Sequence, residues 1–414
     1  MAKPLHNVII GNAAAAVGCV EGIRQHDRKS KITIISDETH HTYSRPLISY
    51  LLCGKTDRER MKYRPDRFYT ENGCQTILGV RAESIDPNSK AVSLSDGQTI
   101  GYDRLLLATG SHPFVPSIPG LDAVDKQCTF LSLSDAEKLE NMLTPESRVL
   151  IMGAGLIGLK CAEGIAERVG GITVVDLADH ILPSILDHEA ASLVQRHIET
   201  QGVRFILSDS VVSFDTDRAV LQSGRILPFD LLVVAVGVRP NTALAAAAGA
   251  EIGRGIKTDA HCRTSLLDIY AAGDCAESFD ITVGSERVLA LLPNAYMQGE
   301  TAGINMAGGD RRYDHAIPMN AIGFFGLHIM TAGCCDGKSL VTKAENSYRK
   351  FVTDANRLKG YILIGDVRRA GIYTALIREQ RSLDSLDFPL LLEKPQLMAF
   401  SRKERNKILG GEKQ

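Results

Sequence analysis

Short, mostly apolar runs that end at a glycine recur along this chain. The first, Asn7–Ile10, is followed by Gly11, a helical stretch to about His26 and a second run, Lys31–Ile35. Short apolar runs bounded by turn residues are typical of strands that are buried on both faces, as in a parallel sheet covered by helices. The pattern therefore predicts a βαβ unit at the start of the chain.

The same order of elements returns in the middle of the chain. The strand-like run Val149–Met152 leads into a glycine-rich turn, a helix to about Val169 and the strand Ile172–Val175. Later in each copy an aromatic-Asp pair precedes a buried strand and a glycine, Gly110 in the first copy and Gly237 in the second. Two such units predict an α/β fold with two Rossmann-like dinucleotide-binding domains.

The pattern changes at about residue 312. Strand signals at Ser347–Thr353 and Leu358–Gly365, a hairpin turn at 356–360 and the helical Ala370–Gln380 predict a small α+β domain. We therefore expect a first nucleotide-binding domain over residues 1–115 and 240–311, a second inserted at 116–239, the α+β domain at 312–400 and a tail at 401–414. The tail is basic, and we expect it to be solvated, with docking to an acidic partner as the alternative.

Composition narrows the class of protein. Hydrophobic residues make up 44% and charged residues 23% of 414, and the net charge of −2 gives no pull toward nucleic acid or membrane. The nine cysteines show no C-x-x-C spacing, which favours reduced thiols over a metal site or a disulfide framework. The first strand begins too early to leave room for a signal peptide, and no apolar run is long enough to span a bilayer, so we expect a cytoplasmic protein.

The second glycine turn carries the strongest chemical signal. In Gly153-Ala154-Gly155-Leu156-Ile157-Gly158 the first glycine makes the tight turn, the second lets a pyrophosphate approach, and the third allows close helix–strand packing. Asp176 ends the next strand and is placed to accept from an adenosine ribose 2′-OH. No Lys or Arg follows until Arg196, so we expect NADH rather than NADPH.

The first turn departs from this fingerprint. Alanine stands at positions 13 and 16 where glycine is usual, so the turn alone is a weaker signal. Asp37 and Glu38 are both placed for a ribose contact, and of the two we favour Asp37.

Five segments together indicate a family: the turn at Gly11, Ala108-Thr109-Gly110, the turn at Gly153, Val236–Asn241 and Tyr270–Asp274. Through these five segments the chain resembles the flavoprotein reductases with two dinucleotide-binding domains, the pyridine nucleotide–disulfide oxidoreductase superfamily. The resemblance implies FAD on the first domain, NAD on the second and a C-terminal interface domain that pairs two subunits as a homodimer, with a monomer as the alternative. It also implies that Asp274 hydrogen-bonds the FAD ribitol and that the backbone of Ala82 meets the adenine. The residues expected at FAD are Gly11, Ala13, Ala14, Asp37, Arg45, Ala82, Thr109, Gly110, Asp274, Asn294 and Ala295; those expected at NAD are Gly153, Gly155, Leu156, Ile157, Gly158, Asp176 and Gly237.

The segment Tyr43–Ser49 narrows the resemblance. It is similar to that of NADH:rubredoxin reductases, ferredoxin-reducing oxygenase reductases and the flavin module of NADH-dependent nitrite reductases. By this resemblance Arg45 lies along FAD, with a surface ion pair as the alternative. The oxygenase-coupled branch carries a Lys where this chain has Tyr50 and an Arg where it has Leu131. These departures favour the rubredoxin-reductase or nitrite-reductase-like branch.

The redox cysteine of the disulfide reductases is missing. Residues 43–48 contain no cysteine, and Cys53 comes too late and is interpreted as a packing residue. The adjacent Cys334 and Cys335, here called the vicinal pair, could form a disulfide only with strain, so we do not expect one. Lys160 stands where disulfide-reducing enzymes carry a Glu; it either faces the nicotinamide side of the flavin or is a solvated helix lysine. The flavin is then the only redox centre we expect, and we expect no metal site.

These observations favour an FAD-dependent NADH oxidoreductase. Hydride passes from NADH to FAD, and electrons then reach a separate acceptor, which is a small electron-transfer protein such as rubredoxin or ferredoxin, a nitrite-reductase-like partner, or a small molecule. Pro293 fits a helix start, and the helix N-terminus at Asn294 and Ala295 is placed to stabilise negative charge on the reduced flavin. Two alternatives stay open: an NADH oxidase or small-disulfide reductase of the coenzyme A disulfide type, and a flavin-bound redox sensor.

Overall fold

The computed structural model of the protein describes residues 4–410. In chain order the strands are β1 His6–Ile10, β2 Lys31–Ser36, β3 Cys74–Leu78, β4 Ala82–Asp86, β5 Ala91–Leu94, β6 Thr99–Gly101, β7 Arg104–Leu107, β8 Ser111–Pro113, β9 Gln127–Thr129, β10 Arg148–Met152, β11 Gly171–Val175, β12 Val203–Ile206, β13 Val211–Asp215, β14 Arg218–Leu221, β15 Ile226–Pro228, β16 Leu231–Val234, β17 Val238–Pro240, β18 Ile269–Ala271, β19 Glu277–Asp280, β20 Ser285–Val288, β21 Met319–Phe324, β22 Leu327–Gly333, β23 Lys338–Ala344, β24 Ser347–Asp354 and β25 Arg357–Ile364. The helices are α1 Ala14–His26, α2 Ile48–Leu52, α3 Phe68–Glu71, α4 Leu133–Met142, α5 Leu156–Ile165, α6 His188–Glu199, α7 Ala243–Ala247, α8 Leu292–Met306, α9 Ala370–Arg378, α10 Phe388–Glu393 and α11 Arg402–Gly410.

The first sheet has the order β18-β7-β1-β2-β3, and all its strands run parallel. Its central strand β1 has β2 on one side and β7 on the other, so the strand order reverses at the carboxyl end of β1. Open parallel sheets bind ligands at such switch points. The opening glycine turn follows β1 at this point, as the sequence pattern predicts.

The second sheet repeats this arrangement with the order β12-β11-β10-β16-β9, again fully parallel. The glycine-rich segment follows the central strand β10, and α5 begins within this segment at Leu156. The α-helix ends at Ile165 and continues as a 3₁₀ turn over Ala166–Arg168, one residue short of the expected end. Both predicted βαβ units are therefore present, and the mixed α/β fold with Rossmann-like parallel sheets is confirmed.

Helices α1 and α8 pack closely on one face of the first sheet. A Cβ at Gly299 would lie 2.0 Å from the backbone oxygen of Ala15, and one at Gly303 would lie 2.1 Å from that of Cys19. Glycines at 18 and 22 of α1 meet the backbone of α8 in the same way. Only residues without a side chain allow two helix backbones to approach this closely, so these positions bring the two helix N-termini beside each other.

The chain divides into two compact units. Within the described residues, the first runs to Ile181 and includes Glu199–Phe279 and Glu286–Asp314; the second comprises Leu182–Ile198, Asp280–Ser285 and the chain from His315. The first unit contains both parallel sheets. The second unit includes nearly all of helix α6, whereas the sequence-based boundaries place this helix in the NAD-binding domain. Those boundaries stay a prediction.

The second unit is built on an antiparallel sheet of order β21-β22-β25-β24-β23 with α9 against it. The buried ring of Tyr361 from the sheet meets Tyr373 from α9 at 5.8 Å between centroids. The sequence pattern predicts β24, β25 and α9 but misses β21, β22 and β23. The expected hairpin turn at 356–360 is wrong in extent, because the turn consists of Ala355 and Asn356, both with positive φ, and β25 begins at Arg357.

The expected tail contains a helix. Helix α11 covers Arg402–Gly410, so most of the segment is regular structure, and residues 411–414 lie outside the described residues. Among residues 4–410 the structure contains no helix with the length and apolar character needed to cross a bilayer.

Candidate functional site

The opening turn owes its shape to the absence of a side chain at Gly11. This residue has φ +117°, and a Cβ there would lie 2.1 Å from the backbone oxygen of Ala108. Its N–H donates to the Ile35 oxygen at 2.7 Å, which ties the turn to the end of β2. Ala13 precedes α1 in extended conformation, and no side chain caps the helix, so the first amides of α1, from Ala14 on, are left for another acceptor.

The N-termini of α1 and α8 meet at Gly273. A Cβ at Gly273 would lie 3.2 Å from Cβ of Ala15 and 3.5 Å from Cβ of Ala295, and the next residue is Asp274. Two helix N-termini beside one turn concentrate partial positive charge there, which suits an anionic ligand. Asn294 lies in the first turn of α8, but its side chain is fully buried and accepts from the Tyr313 hydroxyl at 2.9 Å, so it also has a role in packing.

Asp274 is held in place by its neighbours. The Ser111 hydroxyl donates to Oδ2 of Asp274 at 3.3 Å. Burial raises the pKa of Asp274, although the Ser111 hydrogen bond and the charge of Arg45 act to lower it. Thr109 is clamped by Asn241, whose Nδ2 donates to the Thr109 oxygen at 2.7 Å.

Arg45 forms the ion pair that the sequence leaves as an alternative. Its Nη2 lies 2.7 Å from Oε1 of Glu38, yet 39% of its side chain stays exposed. Desolvation acts to lower the pKa of Arg45, but Tyr43 and Glu38 raise it above its ordinary value, so the guanidinium stays charged. Because Glu38 is occupied by Arg45, and Asp37 has no side-chain partner among the described residues, the arrangement favours Asp37 for a ribose.

Ala82 lies at the start of β4, and the segment before it lies close in space to the end of β2. The N–H of Val80 donates to the Ser36 oxygen at 3.0 Å, and the N–H of Gly79 donates to the Glu38 oxygen at 3.2 Å. These bonds place the segment before Ala82 beside the acidic end of β2.

The second turn is built around Asp176. The N–H of Ala154 donates to its Oδ2 at 2.6 Å, and the N–H of Ala178 donates to its Oδ1 at 2.8 Å. The carboxylate is therefore fixed against the glycine turn. Gly153 and Gly158 are required by packing, because a Cβ at Gly153 would lie 2.3 Å from the Ala235 oxygen and one at Gly158 would lie 2.0 Å from the Gly153 oxygen.

Three other glycines face open space. A Cβ at Gly110, Gly155 or Gly237 would meet no heavy atom within 4 Å. Gly110 and Gly237 have φ of +67° and +123°, so their backbone conformation favours glycine. Gly155 has φ −80°, so neither packing nor conformation explains glycine at this position, whereas a ligand that approaches the backbone does. The residues present fit two dinucleotides, one at each turn.

A cluster beside the opening turn is missed by the sequence patterns. The Tyr69 hydroxyl donates to Oδ1 of Asn12 at 2.8 Å and accepts from the N–H of Thr42 at 3.0 Å. Among the described residues the buried Oγ1 of Thr42 and Nε2 of His41 have no hydrogen-bond partner. Buried polar atoms are rarely left unpaired, so these two atoms also fit a polar ligand at the turn. The polar Asn12 inside an otherwise small-residue turn is the only sequence signal for this cluster.

Lys160 lies in a defined contact rather than in solvent. Its Nζ is 4.6 Å from the centre of the Tyr50 ring and 2.5 Å from Oε2 of Glu163. The solvated-lysine alternative is therefore wrong for this residue.

The cysteines do not form a redox pair. All nine are free thiols. Burial raises the pKa of most of them, to about 11 at Cys74 and Cys335, to about 12 at Cys128 and Cys262, and above the ordinary value at Cys19, Cys161 and Cys275. The thiolate is the reactive form, so these buried thiols are poor nucleophiles. Cys53 lies at the end of α2, where its Sγ donates to the Tyr50 oxygen at 3.6 Å.

Comparison with known proteins now decides the family. The model of the family described as pyridine nucleotide-disulphide oxidoreductase matches residues 5–299, which include both turns. The chain belongs to this family. This oxidoreductase also matches the rubredoxin NAD+ reductase C-terminal domain over residues 318–381, so the resemblance to the rubredoxin-reductase branch is confirmed. Members of the family are oxidoreductases that use FAD and NADH.

Two curated relatives match most of this oxidoreductase. The epsilon subunit of NADH-dependent phenylglyoxylate dehydrogenase from Aromatoleum evansii is 29% identical over 92% of the chain and 93% of the relative. The assimilatory nitrate reductase electron transfer subunit of Bacillus subtilis is 30% identical over 92% of the chain and 49% of the relative. The chain thus spans nearly the whole of the first and about half the length of the second.

Among solved structures, this oxidoreductase is similar to a ferredoxin reductase from Rhodopseudomonas palustris. The TM-score is 0.84 at 26% identity, and the match covers 91% of this chain and 95% of that chain.

Proposed function

We propose that this oxidoreductase binds FAD on residues 1–115 and 240–311 and NADH on residues 116–239, and passes electrons from NADH through FAD to a separate acceptor. The observation that carries this proposal is the repeated construction of the two turns. Each follows the central strand of a parallel sheet and begins at a glycine that packing requires, and in each case an acidic residue comes directly after the next strand, Asp37 after β2 and Asp176 after β11.

The first turn supplies what a flavin dinucleotide needs. The uncapped amides at the start of α1 would stabilise the negative charge of the pyrophosphate. The N-terminus of α8 would stabilise the negative charge of the reduced flavin. Asp37 would accept from the adenosine ribose, and Asp274, which accepts from the Ser111 hydroxyl, would bind the ribitol. Arg45 keeps its charge beside Glu38 and offers its remaining donors along the cofactor. Bound FAD supplies the chemistry of accepting a hydride and releasing electrons to the acceptor.

The second turn orients NADH. Gly155 would leave room for the pyrophosphate at the N-terminus of α5, and Asp176 would accept from the ribose 2′-OH. No Lys or Arg lies between Asp176 and Arg196, so a 2′-phosphate has no local cation and would meet a fixed carboxylate. The chain therefore favours NADH over NADPH. Hydride transfer needs positioning rather than an acid or base, so no side chain in these elements has to donate a proton.

The acceptor is separate from this chain. The chain has no cysteine cluster for an iron site, and its thiols are free and mostly buried. The rubredoxin reductase match in the C-terminal part, and the relative named as an electron transfer subunit of nitrate reductase, support a small redox protein or a larger reductase partner as the acceptor. We also propose that the C-terminal domain pairs two subunits, and that the nine unpaired cysteines reflect a reducing compartment such as the cytoplasm.

Steady-state NADH oxidation against a panel of acceptors tests this function. The panel contains rubredoxin, ferredoxin, oxygen, coenzyme A disulfide and nitrite, each with the FAD-loaded protein. We expect fast turnover with rubredoxin or ferredoxin and slow turnover with oxygen and coenzyme A disulfide. Fast turnover with oxygen alone would establish the NADH oxidase alternative, and near-absence of turnover with every acceptor would favour the redox sensor.

A further inference from the structure

Helix α1 begins at a residue that is poorly suited to cap it. The N-cap is Ala13, whose backbone is extended with ψ −161°, and its side chain makes no capping hydrogen bond. Alanine is among the poorest N-cap residues and asparagine among the best, yet Asn12 stands one position too early in the chain. With helical angles at Ala13 the helix would start one residue earlier, and the Asn12 oxygen would accept from the amide of Ala14 or Ala15. These are the amides that the proposed function leaves to a pyrophosphate.

The Asn12 side chain is instead bound to two partners outside α1. Its Nδ2 donates to the His40 oxygen at 3.2 Å, and its Oδ1 accepts from the Tyr69 hydroxyl at 2.8 Å. Because a carbonyl oxygen only accepts, the amide nitrogen must face His40 and the amide oxygen must face Tyr69. The atom that would cap α1 is thus occupied by a hydroxyl from helix α3. A local preference that the fold overrules in this way is typical of a functional site.

The Tyr69 hydroxyl is itself fixed. It accepts from the N–H of Thr42 at 3.0 Å, and its own hydrogen is left to point to Asn12. The Tyr69 ring lies 4.7 Å from the imidazole ring of His41 between centroids, and the preceding Phe68 is buried. Burial raises the pKa of Tyr69, so the hydroxyl keeps its hydrogen at neutral pH. The donor that occupies Asn12 is therefore a well-anchored part of the first unit.

We propose that Tyr69 is a positioning residue, which donates to Asn12 and so prevents the Asn12 carboxamide from capping α1. The N-terminus of the helix then stays open for a diphosphate group. This inference rests on the proposed function, which assigns the pyrophosphate of FAD to this turn. Tyr69 does not have to touch FAD, because it acts through Asn12. Without the hydroxyl Asn12 keeps only its bond to His40, and capping by Asn12 competes with the ligand.

Titration of the apoprotein with FAD, followed by flavin fluorescence, tests the proposal. A good helix cap shifts an equilibrium by about two- to thirtyfold, and we expect Tyr69→Phe to weaken FAD binding by about three- to tenfold. In an Asn12→Ala background no carboxamide is present to cap the helix, so the same substitution should change the dissociation constant by less than about twofold. Tyr102→Phe is the matched control, because the buried Tyr102 hydroxyl has no hydrogen-bond partner among the described residues.

Amide hydrogen exchange of the apoprotein supplies a second readout. We expect the amides of Ala14 and Ala15 to exchange more slowly in Tyr69→Phe than in the wild type, because Asn12 then accepts from one of them. A merely structural role of Tyr69 predicts the opposite, which is faster exchange over the turn and α3 alike.

The outcomes separate the two claims. An unchanged affinity of Tyr69→Phe for FAD overturns the proposal, and so does an equal loss with and without Asn12, because the hydroxyl then acts through Thr42 or through the fold. Failure of the wild-type apoprotein to bind FAD overturns the proposed function instead. If Tyr69→Phe does not fold, Tyr69→Met, which also lacks the hydroxyl, is measured with and without Asn12→Ala, and the same result is expected.

Discussion

Replacing Gly155 by alanine separates nucleotide binding from folding. Gly155 has φ −80° and ψ −176°, a conformation open to any residue, and a Cβ there would meet no heavy atom within 4 Å. The substitution is therefore expected to leave the free energy of unfolding unchanged or to raise it by about 0.4–1 kcal/mol, because alanine restricts the unfolded chain. The added methyl group occupies the space in front of the turn, where the pyrophosphate must approach the backbone.

The expected loss of binding follows from the hydrogen bonds at the turn. A hydrogen bond to a charged group is worth about 1.5–3 kcal/mol, and loss of one such bond weakens binding by about tenfold to more than a hundredfold. Calorimetric titration with NAD+ measures this loss, and thermal unfolding measures stability. The flavin spectrum is expected to stay unchanged, because the first turn is untouched.

Gly158→Ala is the matched control. Its Cβ would lie 2.0 Å from the Gly153 oxygen, so the helix must shift, and overpacking of this kind costs about 1–3 kcal/mol. We expect Gly158→Ala to lower stability and Gly155→Ala to lower binding alone. Wild-type affinity of Gly155→Ala for NAD+ would refute the claim that this turn cradles the pyrophosphate.

Three further predictions follow from the same geometry. Asp176→Ala should weaken NADH binding by about tenfold or more while NADPH binding weakens less or improves, because the fixed carboxylate is lost; titration with both nucleotides checks this. Gly299→Ala should lower the unfolding temperature and the retention of FAD, because its Cβ would enter the backbone of α1, whereas Gly371→Ala, with open space around it, should do neither. Serine at Cys53, or at either cysteine of the vicinal pair, should leave NADH oxidation with the best acceptor within about twofold of wild type; a large loss would show that a thiol takes part.

The parts of the fold that follow from the sequence are those governed by local patterns. The strand β1 and the end of α1 at His26 lie within one residue of the predicted bounds, because a buried apolar run and an amphipathic helix leave clear marks in neighbouring residues. The strand β23 leaves no such mark, because all seven of its residues are exposed and no face alternates with a buried one. Its place is set by pairing with β24.

The site residues divide in the same way. The glycines of the two turns, and the acidic residues that follow β2 and β11, can be recognised in the sequence, because their spacing is characteristic. The contact of Lys160 with Tyr50 joins two segments that are far apart in the chain, so it depends on the tertiary fold. The pair of Arg45 with Glu38 is local in the chain, and it depends on the irregular backbone between them. The open space in front of Gly155 and the tight packing at Gly158 agree with the separate roles that the glycine spacing predicts.

Anaerobic stopped-flow mixing of NADH with the FAD-loaded protein tests the central claim most directly. The account predicts that the flavin absorbance bleaches in a single turnover without any acceptor, and that Gly155→Ala slows this bleaching strongly at the same NADH concentration. An oxidised flavin spectrum that persists in excess NADH, with wild-type protein that has bound both nucleotides, would contradict it.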